Sequence, residues 1–289
     1  MDVKVRLKRK RQALTVSHEV RALTLGRWFN ESLGHIVFPD LLVTLALGDE
    51  FNQSIDDAYL PASLKHLRFG AKFNQSLRNA TLPTGLRSLT FGKYFNQSLD
   101  DTWPPQLPST IEELTFGTCF NQSLDNTTLP ACLQNLQFGD SFNQNLDNTR
   151  LPLRLKYLFF GKCFNQCLAN ATLPSTIQSL TFGDAFDQSL SEVRLPEDLL
   201  ELTFGDSFDQ RISNTTFPAG MQRLIFGKSF NQSLEGSRLP DDIEQLVFGE
   251  CFNHPLLSLP SGLRILKLGA AFNYDADVAD MENLRVIAV

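Results

Sequence analysis

Leu60-Pro61-Ala-Ser-Leu64-Lys-His66-Leu67-Arg68-Phe69-Gly70-Ala-Lys-Phe73-Asn74-Gln75-Ser76-Leu77 is the stretch whose reading decides the fold. Its core, Phe-Asn-Gln-Ser, returns along the whole chain. The leading phenylalanines are Phe29, Phe51, Phe73, Phe95, Phe120, Phe142, Phe164, Phe186, Phe208, Phe230, Phe252 and Phe272. Successive members stand 22 residues apart, apart from one gap of 25 after Phe95 and a last one of 20. A fixed short period marks a solenoid, because each repeat has an apolar face that only a stacked neighbour can bury.

The invariant letters show how one coil is built. Glycine stands three residues before the lead phenylalanine in all twelve repeats, from Gly26 to Gly269, and proline stands twelve before it in eleven, from Pro39 to Pro260. The two residues that most restrict the backbone thus place the same bends at the same points of every coil. Leu67 and Phe69 alternate with His66 and Arg68 as in a strand, so the former point inward and the latter outward. Phe73 and Leu77 turn back to the core. No apolar stripe of helical period exceeds two turns and proline recurs too often for helices. Each coil is therefore expected to hold one short parallel strand, with an extended or 3₁₀ return and little α-helix.

Asparagine follows the lead phenylalanine in ten repeats, with Asp187 and Asp209 in the others. Stacked at one height, these side chains are expected to form an asparagine ladder, bonding the turn backbone and one another. The phenylalanines form a spine. A motif needed twelve times over reads as scaffold rather than as catalytic machinery.

On these residues the chain resembles a leucine-rich repeat protein, and more closely the FNIP-repeat branch of that superfamily. Leu64-x-x-Leu67-x-Phe69 matches the leucine-rich strand, and Leu89-Thr90-Phe91-Gly92 followed by Phe95-Asn96-Gln97-Ser98-Leu99 matches the FNIP signature. Serine mostly stands where the family has proline or isoleucine, though Phe252-Asn253-His254-Pro255-Leu256 restores the proline. Lys72 occupies the place of the typical leucine-rich-repeat asparagine, so the ladder is shifted in register. The resemblance spans about residues 20 to 276. It implies a scaffold that binds other macromolecules.

The expected organisation is a basic N-terminal cap over 1–19, a twelve-coil solenoid over 20–276 and a C-terminal cap strand over 277–289. The cap strand rests on Met281-x-x-Leu284-x-Val286, which repeats the strand spacing. Val3 to Arg11 alternates like a strand and is strongly basic, so it either shields the first coil's edge or meets an acidic partner. The longer gap after Phe95 holds Trp103-Pro104-Pro105, read as a bulge on the return side.

The net charge of −6 mixes both signs and offers nothing to nucleic acid. No apolar run is long enough to span a membrane and no secretory leader is visible, so a cytoplasmic or nuclear monomer is expected. Cys119, Cys132, Cys163, Cys167 and Cys251 are an odd set without zinc spacing and read as free thiols. The histidines His18, His35, His66 and His254 lie in separate coils without a nucleophile at the same height. Neither an enzyme nor a cofactor is expected. No metal site is expected either. The nearest thing to one is the group Asp184, Asp187, Asp206 and Asp209, dense in oxygen ligands of the kind calcium takes.

Function is then sought where repeats disagree. Phe159 stands at an outward strand position that other repeats fill with Thr, Ala, Arg or Gln, and Tyr157 points the same way. Arg223, Ile225, Gln245 and Val247 continue that face, and His66, Arg68 and Tyr94 stand on it or at its margin in earlier coils. Exposed aromatic and aliphatic groups on such a face suit a protein or peptide partner. The other readings are a self-assembling structural element and contact with an acidic partner or nucleic acid through Lys4 to Arg11.

Overall fold

The computed structural model describes residues 2–5, 17–100, 107–256, 259–273 and 284–288. It forms two compact units, residues 1–142 and 143–289, each built of the same coil. In the first unit the strands are Asp2–Val5 (β1), Ala22–Leu25 (β2), Thr44–Ala46 (β3), His66–Arg68 (β4), Ser88–Thr90 (β5), Glu113–Thr115 (β6) and Asn135–Gln137 (β7). Each pairs in parallel with the next, Leu45 opposite Leu67 and Leu67 opposite Leu89. In the second they are Tyr157–Phe159 (β8), Ser179–Thr181 (β9), Glu201–Thr203 (β10), Arg223–Ile225 (β11), Gln245–Val247 (β12), Ile265–Leu268 (β13) and Arg285–Ala288 (β14). These also pair in parallel and in sequence order. The architecture is a parallel-strand solenoid of the expected kind.

Three turns bend a fully described coil, and each begins at a motif residue. In the coil quoted first, Leu64 N–H donates to Pro61 C=O at 3.0 Å, Phe73 to Gly70 at 3.3 Å and Ala80 to Leu77 at 3.0 Å. The strand runs between the first two turns. Among the described residues the sole helical segment is a 3₁₀ turn, Leu33–His35, capped by Ser32. The other described returns are turns and extended chain, as the proline of eleven repeats favours.

The motif glycines bend where expected, but for a different reason. Among the described residues only Gly236 has a positive φ, and it lies outside the motif. A Cβ on Gly70 would stand 1.8 Å from the carbonyl oxygen of Gly48 in the coil before. The other motif glycines for which this neighbour is described give 1.8 to 2.1 Å. Glycine is there because successive coils touch backbone to backbone at this corner, leaving no room for a side chain.

The core is two stacks of phenylalanine with leucine filling the remaining corners. In the first unit Phe29, Phe51, Phe73, Phe95, Phe120 and Phe142 stack at centroid spacings of 6.0 to 6.1 Å. Phe69, Phe91, Phe116 and Phe138 stack beside them at 5.6 to 5.7 Å. Within a coil the two rings lie closer still, Phe69 to Phe73 at 3.9 Å. Phe164 to Phe272 and Phe160 to Phe248 repeat both columns in the second unit. Near-parallel, offset rings are a favoured aromatic geometry, and each buried ring is worth roughly 1.5–3 kcal/mol in transfer alone.

The N-terminal run expected to be strand-like does open with β1, in which Val3 and Val5 stand opposite Leu23 and Leu25. Arg6 to Arg11 lie outside the described residues, as do Trp103, Pro104 and Pro105. The insertion they occupy leaves the stack undisturbed, since Phe95 and Phe120 remain 6.0 Å apart. At the other end β14 puts Val286 opposite Leu266, and Met281 lies outside the described residues.

Candidate functional site

The ladder accounts for the polar letters, with a correction. In the coils of Asn52, Asn74 and Asn96 the asparagine side chains do not bond one another. Instead, Asn52 Oδ1 accepts two hydrogens from the following coil, from the Asn74 N–H at 2.9 Å and from Gln75 Nε2 at 3.0 Å. Asn74 serves Asn96 and Gln97 in the same way, and Asn96 serves Asn121 and Gln122. The serine of the motif closes the next bend, its Oγ accepting the N–H two residues on, as Ser76 does from Arg78 at 3.1 Å.

This geometry explains the two aspartates, because only one acceptor oxygen is used. Asp187 Oδ1 accepts from Asp209 N–H at 3.0 Å and Gln210 Nε2 at 2.9 Å, and Asp209 accepts likewise from Asn231 and Gln232. Asp206 pairs with Lys228 at 3.2 Å, and Asp184 is exposed. Among the described residues no three His, Cys, Asp or Glu side chains form a group able to hold a metal. His254 replaces the ladder glutamine, and its Nε2 lies 2.9 Å from the Asn231 carbonyl oxygen.

With core and ladder assigned, the outward strand positions remain. In β8, Leu158 is fully buried, Tyr157 is 40% exposed and Phe159 is half-buried. Phe159 stands opposite Thr181, whereas Ile225 and Val247 oppose one another across β11 and β12. Both aliphatic residues are half-buried. Arg223 bridges its neighbours, meeting Glu201 at 3.1 Å on one side and Gln245 at 3.1 Å on the other. The second unit therefore sets Tyr157 and Phe159 on β8 and Arg223, Ile225 and Val247 on β11 and β12 of one outward face, with β9 and β10 between the two groups.

His66, Arg68 and Tyr94 belong to the first unit, where all three are exposed. His66 and Arg68 flank the buried Leu67 in β4, and Tyr94 lies under Lys93 Nζ at 5.1 Å from the ring centre. Arg68 lines a groove of about 710 Å³ along the ends of the strands, floored by the glycine column and flanked by Arg27, Asp49, Thr90, Lys93 and Asp140.

Several exposed apolar residues escaped the sequence reading. Trp28 is 75% exposed beneath the Arg27 guanidinium, Tyr59 is 83% exposed and Leu153 is 80% exposed. Leu153 follows Pro152 where other coils put Ala, Ser, Thr, Asp or Glu, so comparing coils at the return, not just at the strand, would have found it. All five cysteines are free. No helix among the described residues is long and apolar enough to cross a membrane.

Comparison with known proteins agrees with this architecture. A solved structure described as CroV588, a novel circular LRR protein, is 34% identical with a TM-score of 0.80, over 96% of this chain and 44% of its own. YopM from Yersinia enterocolitica WA-314 is 22% identical with a TM-score of 0.61, over 96% of this chain and 56% of its own. The chain thus spans less than two thirds of either protein. No curated protein sequence matches it. The FNIP Repeat family matches in seven segments: 29–72, 73–119, 120–163, 164–207, 186–229, 208–251 and 230–271. Matched in this way across residues 29–271, the chain belongs to the FNIP repeat family.

Proposed function

We propose that this protein is a non-enzymatic interaction scaffold whose second unit receives a protein or peptide segment on the strand face around Tyr157 and Phe159. Leucine-rich-repeat scaffolds are commonly used in this way. One observation carries the reading. In β8 the central leucine is wholly buried, so two aromatic rings are held outward by a backbone that has no freedom to turn them in. Thr and Ser fill the equivalent places of β9. Aromatic rings supply large contact area for little entropy and dominate binding hot spots. Ile225 and Val247 form a second apolar pair on the same face beyond Thr181 and Thr203, and Arg223 offers a guanidinium already oriented by Glu201 and Gln245. Five free thiols suit a reducing compartment, the cytoplasm or nucleus.

The test is selection of displayed peptides on the wild-type chain, followed by binding to a Tyr157→Ser/Phe159→Ser variant. Binders should lose most of their affinity while the melting temperature of the variant stays within a few degrees of wild type. Binders indifferent to the change would place recognition elsewhere. Unfolding of the variant would return both rings to the core.

A further inference from the structure

The first unit carries a second surface, chemically unlike the face around Phe159. Residues 65–72 and 87–94 make up the strand and following corner of two adjacent coils. They contain Lys65, His66, Arg68, Lys72, Arg87 and Lys93, and no carboxylate. Acids of the flanking coils neutralise part of this charge. Glu50 meets Lys72 at 2.6 Å, Glu112 pairs with Arg87, and Asp49 lies 3.7 Å from Arg27 rather than on either coil. Lys65 Nζ is turned away to the Gly85 carbonyl at 3.1 Å.

Arg68 and Lys93 are left over. Arg68 stands between Ala46 and Thr90 across its neighbouring strands, so neither brings it an acid. Glu113, on the adjacent strand face, lies opposite Ser88. None of the ion pairs among the described residues involves Arg68 or Lys93, and both line the 710 Å³ groove, where Asp49 is turned to Arg27 and Asp140 stands at the far end. The Lys93 ammonium rests over the Tyr94 ring, 5.1 Å from its centre, a contact that leaves its charge unneutralised. The groove runs along successive coils, lined by residues of the strand ends and of the glycine corners that follow them.

We infer that this groove binds an extended acidic peptide segment, with the Arg68 guanidinium forking a carboxylate and Lys93 meeting the next one. An unpaired, exposed arginine presents donors in the geometry that a carboxylate accepts in pairs. The site is independent of the Phe159 face, so either can fail without the other.

The experiment uses a fluorescein-labelled peptide alternating glutamate and serine, with a lysine–serine peptide and a short single-stranded oligonucleotide as comparisons, read by anisotropy at low salt. The glutamate peptide should bind. Arg68→Ala should weaken it about tenfold or more, and Arg68→Lys, which keeps charge but loses the fork, should fall between. Lys93→Ala should weaken it less, and Tyr157→Ser/Phe159→Ser not at all. Arg68 is exposed, so circular dichroism should show each variant folded. Absence of glutamate-peptide binding overturns the proposal. So does binding insensitive to Arg68, which would belong to the basic run Lys4 to Arg11, and so does Arg68-dependent preference for the oligonucleotide.

Discussion

Asn74 uses one side-chain oxygen twice, and everything the ladder asks of the position follows from that. Replacing it by alanine removes two hydrogen bonds and strands the Asn96 N–H, a cost of about 2 kcal/mol. Asn74→Asp keeps the oxygen and is expected to stay near wild type at neutral pH, as Asp187 and Asp209 already do in their coils. Urea denaturation of the three proteins gives the comparison. Glycine makes the same point through space. Gly70→Ala drives a methyl into the Gly48 carbonyl and is expected to cost about 3 kcal/mol. Gly220→Ala, with nothing within 4 Å, should gain a few tenths through the unfolded chain. Lys228 offers a charge-based case. Its hydrogen bond and charge contact with Asp206, then Glu250 and Asp184, hold its ammonium above the usual 10.5. A raised folded pKa lends stability below the unfolded value and loses it as pH climbs past the folded one. That window lies above 10.5, so Lys228→Met should leave the shape of the stability profile between about pH 6 and 9 unchanged in thermal melts.

At the level of one coil, the rings and the turns divide the work. Phe95 is fully buried and touches Phe73, Phe120 and Phe91, the last at 3.8 Å. Truncating it to alanine opens a cavity between three coils and is expected to cost about 4 kcal/mol. Leucine, which refills much of the space, should cost nearer 1.5 kcal/mol. Calorimetry on both variants would check the ratio. Strand, turn and spine could be read from the spacing of Leu67, Phe69, Gly70 and Phe73, since period and burial are one fact seen twice. The reason for Gly70 could not. A restricted backbone and a forbidden Cβ leave the same letter in a sequence, and only the distance to Gly48 separates them. The direction of the ladder was hidden for a like reason, because asparagine carries both donor and acceptor. The outward placement of Tyr157 and Phe159 was legible from alternation. Tyr59 and Leu153 were passed over because they sit on returns, where alternation gives no inside or outside.

Within each unit, stability should follow nearest-neighbour terms, since a coil bonds the one before and the one after. Removing residues 74–95 deletes one whole period and sets Asn96 directly after Phe73, so the ladder and both ring columns close again. The shortened protein should remain folded, with a denaturant slope reduced roughly in proportion to the surface lost. Deleting half as many residues breaks the period and should abolish cooperative unfolding. The one-oxygen ladder has a further meaning here. A coil with the full motif, such as that of Phe73, presents an acceptor forwards and a matched donor pair backwards, both within the same four letters, so one such coil can follow another. A gene encoding such a chain can lengthen by copying whole modules without renegotiating a single junction. Array length is then a property that such a chain can change in whole steps, one coil at a time.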